Sequence, residues 1–339
     1  MAVIHRDELI ELCRSALLAA GAGARDARVL AEATAEAEVI GNRAVGVGHL
    51  FDYLDGYAQG RISKDAQPVV RRVAPAVLDA DARSGLAQTA FADAFDGLLE
   101  ATRESGLAAL WIRNSFTCGE LGYYARHLAA QDLVALAAAN SPALMSIGGA
   151  RRSVLGTNPL AYGLPRPGRA PVVIDQASSA TAFVNVRRAA EAGEPIPAGW
   201  ALDRGGEPTR DADAALDGTL LPFGGYRGGN VALLVEVLAT LSGASFSLDA
   251  APFHEGSSSP GIGVFVLGID PATFPGSTER LAGQLDTLRA EHDVRLPALE
   301  RTGPADRVEL EAAVLQRLED AGAADRAVAS TQRIATDED

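Results

Sequence analysis

Cysteine is almost absent from this 339-residue chain: Cys13 and Cys118 are the only two, far apart and without the paired spacing of a zinc knuckle. That scarcity excludes a disulfide scaffold and suits a reducing cytoplasm, the expected location. Positive charge is also in short supply. With 30 basic residues against 44 acidic ones the net charge is -14. Lacking a concentrated positive surface, the chain is not expected to bind nucleic acid or an anionic membrane. No apolar run is long enough to span a bilayer. The start, MAVIHRDELIELCRS, carries acids where a signal peptide has a basic stretch and then an apolar one. Familiar catalytic fingerprints are missing too. No GxGxxG follows a strand, no phosphate loop ends in GK[ST], and there is no GxSxG. No HExxH and no clustered His, Asp and Glu set points to a metal, so none is expected.

What is present is ordinary for an α/β protein: 47% apolar and 22% charged residues, with 35 Gly and 17 Pro. The length favours two domains over one. From Arg6 to Asn42 the apolar spacing is helical, with Leu9, Ile10, Cys13, Leu17 and Leu18 on one stripe and Val29, Leu30, Ala33, Ala37 and Ile40 on another. Gly21–Gly23 ends the first helix, Asp26 is placed to cap the second, and one more helix reaches Ile62. Residues 68–85 read as two strands and a turn. An Ala-rich helix to Ser105, the strand LAALWIRNS, a helix over about 120–131 and the strand LVALAAANS follow, which is an α/β alternation. APVVIDQASS is a strand running into a polar loop, GGNVALLVEVLATLSG a helix, and GIGVFVLGID a late buried strand. Residues 277–290 and 305–323 read as two amphipathic surface helices before a polar tail. There is no internal repeat. The expected division is a helical N-terminal subdomain (1–72), an α/β domain (73–276), C-terminal helices returning to the N-terminal part (277–328) and the tail (329–339).

Five stretches carry a resemblance: RNSFTCGELGYYA (113–125), GGARRSVLGTNPLAYGLP (148–165), VVIDQASS (172–179), GEPIPAGWALDRGGEPTRD (193–211) and LLPFGGYRGGNVALLVEVLATLSGA (220–244). In order and spacing, nearly the whole chain resembles the malate/L-lactate dehydrogenase family. That family uses a non-Rossmann nicotinamide fold and includes ureidoglycolate, sulfolactate and diketogulonate enzymes and cyclic ketimine reductases. The resemblance implies an α/β, L-sulfolactate dehydrogenase-like fold, with a helical N-terminal part on a mixed-sheet domain. It also implies NAD or NADP as cofactor, a small-molecule substrate and a homodimer with the pocket near the subunit interface. The residue chemistry agrees with such a cofactor. GTNP offers backbone amides with Thr157 and Asn158. IDQASS ends a strand with Asp175, Ser178 and Ser179, groups suited to a ribose or pyrophosphate. GGYRGG sets Tyr226 and Arg227 among glycines, where a guanidinium can pair with phosphate; the family usually has Lys at Arg227, so the charge is kept. A carboxylate at a strand end in a Gly/Ser loop, Asp175 is also a candidate catalytic group.

The stretch GNRAVGVGHL (41–50) departs from the family, whose pattern there resembles G-x-x-S-H-G-V-x-R-[LF]. The family's serine, proton-transferring histidine and carboxylate-binding arginine correspond here to Ala44, Val45 and His49. Val45 cannot move a proton, and His49 cannot clamp a carboxylate with two prongs. The family's R-N-S-N-H-x-G becomes RNSFTCG, so a second histidine becomes Thr117, flanked by Phe116 and Cys118. A Gly-Lys pair becomes Val184 and Asn185. Val45, Phe116, Cys118 and Asn185 are therefore expected to line an altered substrate pocket. The proton would come from His49, from Thr117 through water, or from the substrate itself, while His5, His127 and His254 have no motif context. Three readings stay open. The first is a nicotinamide-dependent oxidoreductase of specialised metabolism, acting on an imine or a ketone without the usual α-keto carboxylate. The second is a non-redox enzyme performing a cyclisation, elimination or isomerisation in the same pocket. The third is an inactive binding relative.

Overall fold

The computed structural model describes residues 1–296 and 306–323. A short strand β1 (Ala2–His5) leads into α1 (Arg6–Ala19), α2 (Ala24–Val39) and α3 (Val47–Ala58), with a 3-10 turn at Arg43–Val45 before α3. There follow β2 (Val69–Ala74), β3 (Val77–Asp81), α4 (Ala87–Ser105), β4 (Leu107–Ser115), α5 (Gly122–Ala129), β5 (Val134–Ala139), β6 (Leu160–Leu164) and β7 (Val172–Gln176). A smaller unit comprises α6 (Phe183–Ala192), β8 (Ala201–Leu202), β9 (Pro208–Thr209), α7 (Ala212–Leu216) and β10 (Thr219–Leu220). Then come α8 (Tyr226–Thr240), β11 (Ile262–Ile269), α9 (Ser277–His292), β12 (Arg307–Leu310) and a helix α10 at 312–323.

Seven strands form one mixed sheet in the order β2-β3-β4-β11-β5-β6-β7, with only β3 and β4 parallel. Helices cover both faces, so the central strands are near-continuous apolar runs rather than alternating ones. Phe91 and Leu98 of α4 and Tyr124 and Leu128 of α5 pack on Leu110, Ile112, Val264 and Val266. On the other face Val235 of α8 meets Ala109, Ala138 and Phe265, and Trp111 Nε1 donates to Leu238 O at 2.9 Å. The expected mixed α/β fold with a helical N-terminal part and C-terminal helices is what the chain adopts.

Two local expectations need correction. Asp26 does not cap α2; the capping position is Gly23, and no side chain bonds there. Asp26 is instead buried and accepts from Tyr57 Oη at 3.0 Å and Thr89 Oγ1 at 2.6 Å, tying α2 to α3 and α4. Residues 305–323 are not one helix, because 307–310 form β12, whose Leu310 pairs with Ala2 and whose Arg307 pairs with His5. The three-stranded sheet β10-β8-β9 and the helix α6 were not foreseen. The polar tail at 329–339 lies outside the described residues.

The C-terminal segment completes the N-terminal core: Val308, Leu310 and Leu318 are buried with Leu9, Cys13, Leu17 and Leu30. Truncating a fully buried leucine loses its transfer energy and leaves a cavity, about 2–5 kcal/mol together. Leu318→Ala is therefore expected to lower the denaturation midpoint as much as Leu9→Ala does, although the two sites lie at opposite ends of the chain. Chemical denaturation of both variants checks this.

Candidate active site

The departing loop folds over a carboxylate. Glu38, at the end of α2, accepts from the amide of Val47 at 2.7 Å. A side chain at Gly46 would sit 2.2 Å from Glu38 Oε1, so any larger residue there would push that carboxylate from its place under the loop. Burial raises the Glu38 carboxyl above its ordinary range, against the pull of that amide. Val45 then lines a narrow cleft with Leu30, Tyr53, Gln88, Glu120 and Tyr123.

His49 lies half-buried one turn further on. Its Nδ1 is 2.7 Å from Asp52 Oδ2, an i,i+3 pair on α3. The other oxygen of Asp52 faces His254 Nδ1 at 3.5 Å. Burial alone would raise the Asp52 carboxyl, but the hydrogen bond from His49 and the charges of His49, His254 and Arg187 outweigh it and hold Asp52 below the usual range. With Asp52 ionised, Nδ1 carries the proton and Nε2 is the atom for exchange. Rings brace the pair: His49 meets Tyr53 edge-on at 5.1 Å, Tyr53 meets Phe116 at 5.6 Å, and Phe116 meets Phe253 at 6.0 Å.

Around Thr117 the structure is dense. Phe116 and Thr117 are buried. Cys118 is buried too, and burial, then the nearby Asp175 charge, pushes its thiol up to about 12. Glu120 pairs with Arg126 Nη2 at 2.5 Å, and Arg126 Nη1 reaches Glu36 at 3.2 Å. Burial raises Glu120 despite Arg126. Asp175 accepts from the amide of Gly122 at 2.9 Å, at the start of α5. Burial raises it as well.

The cofactor-type stretches converge on the start of α8. Ser178 N donates to Thr157 O at 2.8 Å, Ser178 Oγ to Asn158 O at 2.8 Å, and Phe223 N to Ser178 O at 3.0 Å. Asn158 is buried and donates to Ala232 O at 3.0 Å and Glu236 Oε2 at 2.8 Å. Ser179 donates to Thr181 O at 2.7 Å and Asn185 to Thr181 Oγ1 at 3.1 Å. Asn158, Ser178 and Ser179 thus pin loops to each other. Tyr226 and Arg227 are exposed in the first turn of α8, behind Gly225 with φ 64 and open space where its side chain would be. Free helix amides, an arginine and a bare glycine turn fit a phosphate. On α6, Asn185 faces this cluster while Arg187 adds its charge at Asp52, so one helix links the two groups.

Sequence reasoning did not single out Asp52, Arg187, Gln88 or Glu120, and it set His254 aside for want of a motif. Only Asp52 carried a signal, its helical i,i+3 spacing from His49.

The fold and these loops define a nicotinamide-dehydrogenase scaffold of the non-Rossmann kind. The sequence model of the malate/L-lactate dehydrogenase family matches residues 4–302, and the chain belongs to that family of oxidoreductases. It is 39% identical over 302 residues to a (2R)-3-sulfolactate dehydrogenase (NADP(+)) of Chromohalobacter salexigens, covering 88% of this chain and 90% of that one. The solved delta1-piperideine-2-carboxylate reductase of Pseudomonas syringae pvar. tomato superposes with a TM-score of 0.87 and 35% identity, over 95% of this chain and all of that one (100%). The sulfolactate dehydrogenase of Methanocaldococcus jannaschii shares the fold, with a TM-score of 0.84 at 23% identity over 94% of this chain and 96% of that one. Among the described residues no helix is long and apolar enough to cross a membrane.

Two outcomes follow from the site's electrostatics. Because the folded Asp52 carboxyl is held below its unfolded value of about 3.9, its stabilisation is fully present above that value and is lost as pH falls through the lower folded one. Thermal melts should show Asp52→Asn destabilised at neutral pH, with the gap to the parent closing below about pH 4. Cys118, protonated in the folded protein, should resist iodoacetamide in mildly alkaline buffer and react on denaturation, read by mass spectrometry.

Proposed function

We propose that this chain is an NAD- or NADP-dependent oxidoreductase whose substrate is a small imine or ketone lacking the usual α-keto carboxylate. The observation that carries the proposal is the His49–Asp52 pair, 2.7 Å apart on α3, one turn beyond the position where Val45 replaces the family's proton-carrying histidine. Arg227 and the first turn of α8 would hold a cofactor phosphate, and Thr157 and the Ser178–Ser179 loop would position the rest of it. A relative named for NADP(+) supports the cofactor class, and one named as a piperideine-2-carboxylate reductase supports imine chemistry. When bound, the nicotinamide supplies the hydride. His49 Nε2 exchanges the proton, Asp52 fixes the tautomer and steadies the charged ring, and Tyr53 holds the ring edge-on. At the position of the family's carboxylate clamp His49 offers no fork.

The homodimer is proposed through α8, whose exposed Leu233, Leu234 and Val237, with Leu241, Phe246 and Leu248 beyond, form an apolar surface of the kind subunits cover. A cytoplasmic location is proposed from the two free, buried thiols.

Fluorescence titration of NADH and NADPH, followed by hydride consumption with cyclic imines and with pyruvate, tests the reading. Micromolar or tighter cofactor binding is expected. Arg227→Ala should weaken it about tenfold or more, since a hydrogen bond to a charged group contributes about 1.5–3 kcal/mol. Absence of binding by both reduced and oxidised cofactors refutes the oxidoreductase. Pyruvate turnover matching that of imines refutes the substrate class.

A further inference from the structure

Away from the cofactor-type loops, the helical layer contains a second cavity, of about 520 Å³, between α2, α4 and α5. That volume lies in the range of small-molecule sites, about 300–1,000 Å³. Arg6, Glu36, Arg126 and His127 give it a polar wall, and Val39, Ile40 and Phe95 an apolar one. His49, Asp52, Asp175 and Arg227 are not among its lining residues. Its mouth is at the exposed Ala130 and Gln131, just past the end of α5, whereas Asp175 meets that helix at its start, at Gly122.

The two guanidiniums of the wall differ in what they have left to offer. Arg126 is shared between Glu36 and Glu120. Arg6 has a side chain only 34% exposed, and among the described residues it makes no side-chain hydrogen bond; its ion pair with Asp7 is long, at 3.9 Å. A planar fork of N–H donors, two-thirds withdrawn from water, therefore faces the cavity unspent. Glu36 does not occupy it. Its Oε2 accepts from Arg126 Nη1 at 3.2 Å, and its Oε1 lies 3.5 Å from His127 Nε2. Burial alone would raise the Glu36 carboxyl, but the hydrogen bond and charge of His127 and the charges of Arg126 and Arg6 hold it below its ordinary range. With Arg126 matched by two carboxylates, the unmatched charge of the wall is that of Arg6.

We propose that this cavity binds a small monocarboxylate with an apolar body, its two oxygens on the Arg6 fork and its body against Val39, Ile40 and Phe95, at a site separate from the candidate active site. A carboxylate matches the guanidinium fork with two parallel bonds. Bare phosphate would leave the apolar wall unused, and as a dianion it would be repelled by Glu36. A cation would find both oxygens of Glu36 engaged and an unmatched arginine beside it. Ring contacts of His127 with Tyr123 at 4.3 Å and Phe95 at 6.1 Å keep the imidazole against the same wall, where it reports on occupancy.

Calorimetric titration of the full chain at neutral pH with benzoate, benzyl alcohol and inorganic phosphate tests the assignment. The first two share a ring and differ in charge, and the third is an anion without a ring. Benzoate should bind at least about tenfold more tightly than either of the others. Arg6→Gln should weaken benzoate about tenfold, as loss of a hydrogen-bonded charge does. Ala130→Phe, at an exposed position on the rim, should weaken it by narrowing the mouth, and this variant decides the matter if Arg6→Gln does not fold. With only five histidines in the chain, imidazole proton spectra place the ligand. Benzoate should move the His127 signal, identified by its loss in His127→Gln, and leave that of His49 in place. Absence of benzoate binding, equal affinity for the three probes, tighter binding of phosphate, or unchanged affinity in both variants overturns the proposal. Movement of His49 in place of His127 puts the acid in the candidate active site and overturns it as well. None of these outcomes depends on cofactor binding, so the site and the oxidoreductase reading stand or fall separately.

Discussion

One guanidinium joins the helical part of this molecule to its sheet. Arg126 on α5 reaches Glu36 of α2 at 3.2 Å and Glu120 of the preceding turn at 2.5 Å, with all three side chains largely shielded from water. Removing such charges from solvent costs several kcal/mol per ion, about the scale of a domain's whole stability, unless partners are held in good geometry. The arrangement therefore sets the position of α2 against α5 closely. Since the loop at 41–46 leaves the end of α2, its placement over Glu120 follows. The cleft beside Val45 is in this sense a by-product of ion pairing between layers.

That constraint also divides labour within the site. Glu120 is held by Arg126, while burial raises its carboxyl against that partner, so its position is fixed by the ion pair and its charge is opposed by its burial. His49 is different: it sits at the edge of the aromatic stack, half-exposed, with its tautomer set by Asp52. Tyr53 stands between the two, touching His49 with its ring and Gln88 with its hydroxyl.

The sequence showed the long elements because burial on both faces writes itself into composition. LAALWIRNS is β4 from its first residue to its last, and the apolar helix after GGYRGG is α8. The two-residue strands β8, β9 and β10 carry no period to detect. β1 exists only because β12 pairs with it from the far end of the chain, Ala2 opposite Leu310. Of the site, His49 was legible through its place in a family pattern. Glu120 lay inside a quoted stretch and went unread, because its burial has no sequence signature. His254 and Arg187 come from segments far along the chain and meet Asp52 only in the folded state.

Retention of the family stretches does not by itself argue for a retained cofactor. Asn158 and Ser178 are buried and spend their hydrogen bonds on Ala232, Glu236 and the chain's own turns, so folding alone is reason enough to keep them. The weight falls on Arg227, which is exposed at the start of α8 with its guanidinium 5.9 Å over the Tyr226 ring. The substitutions relative to the family pattern have a common direction. Histidine became Val45, arginine became His49, a second histidine became Thr117 and lysine became Asn185, and each change lowers the positive charge available to a substrate. Changes that run in one direction are more specific than loss of function, which has no preferred sign.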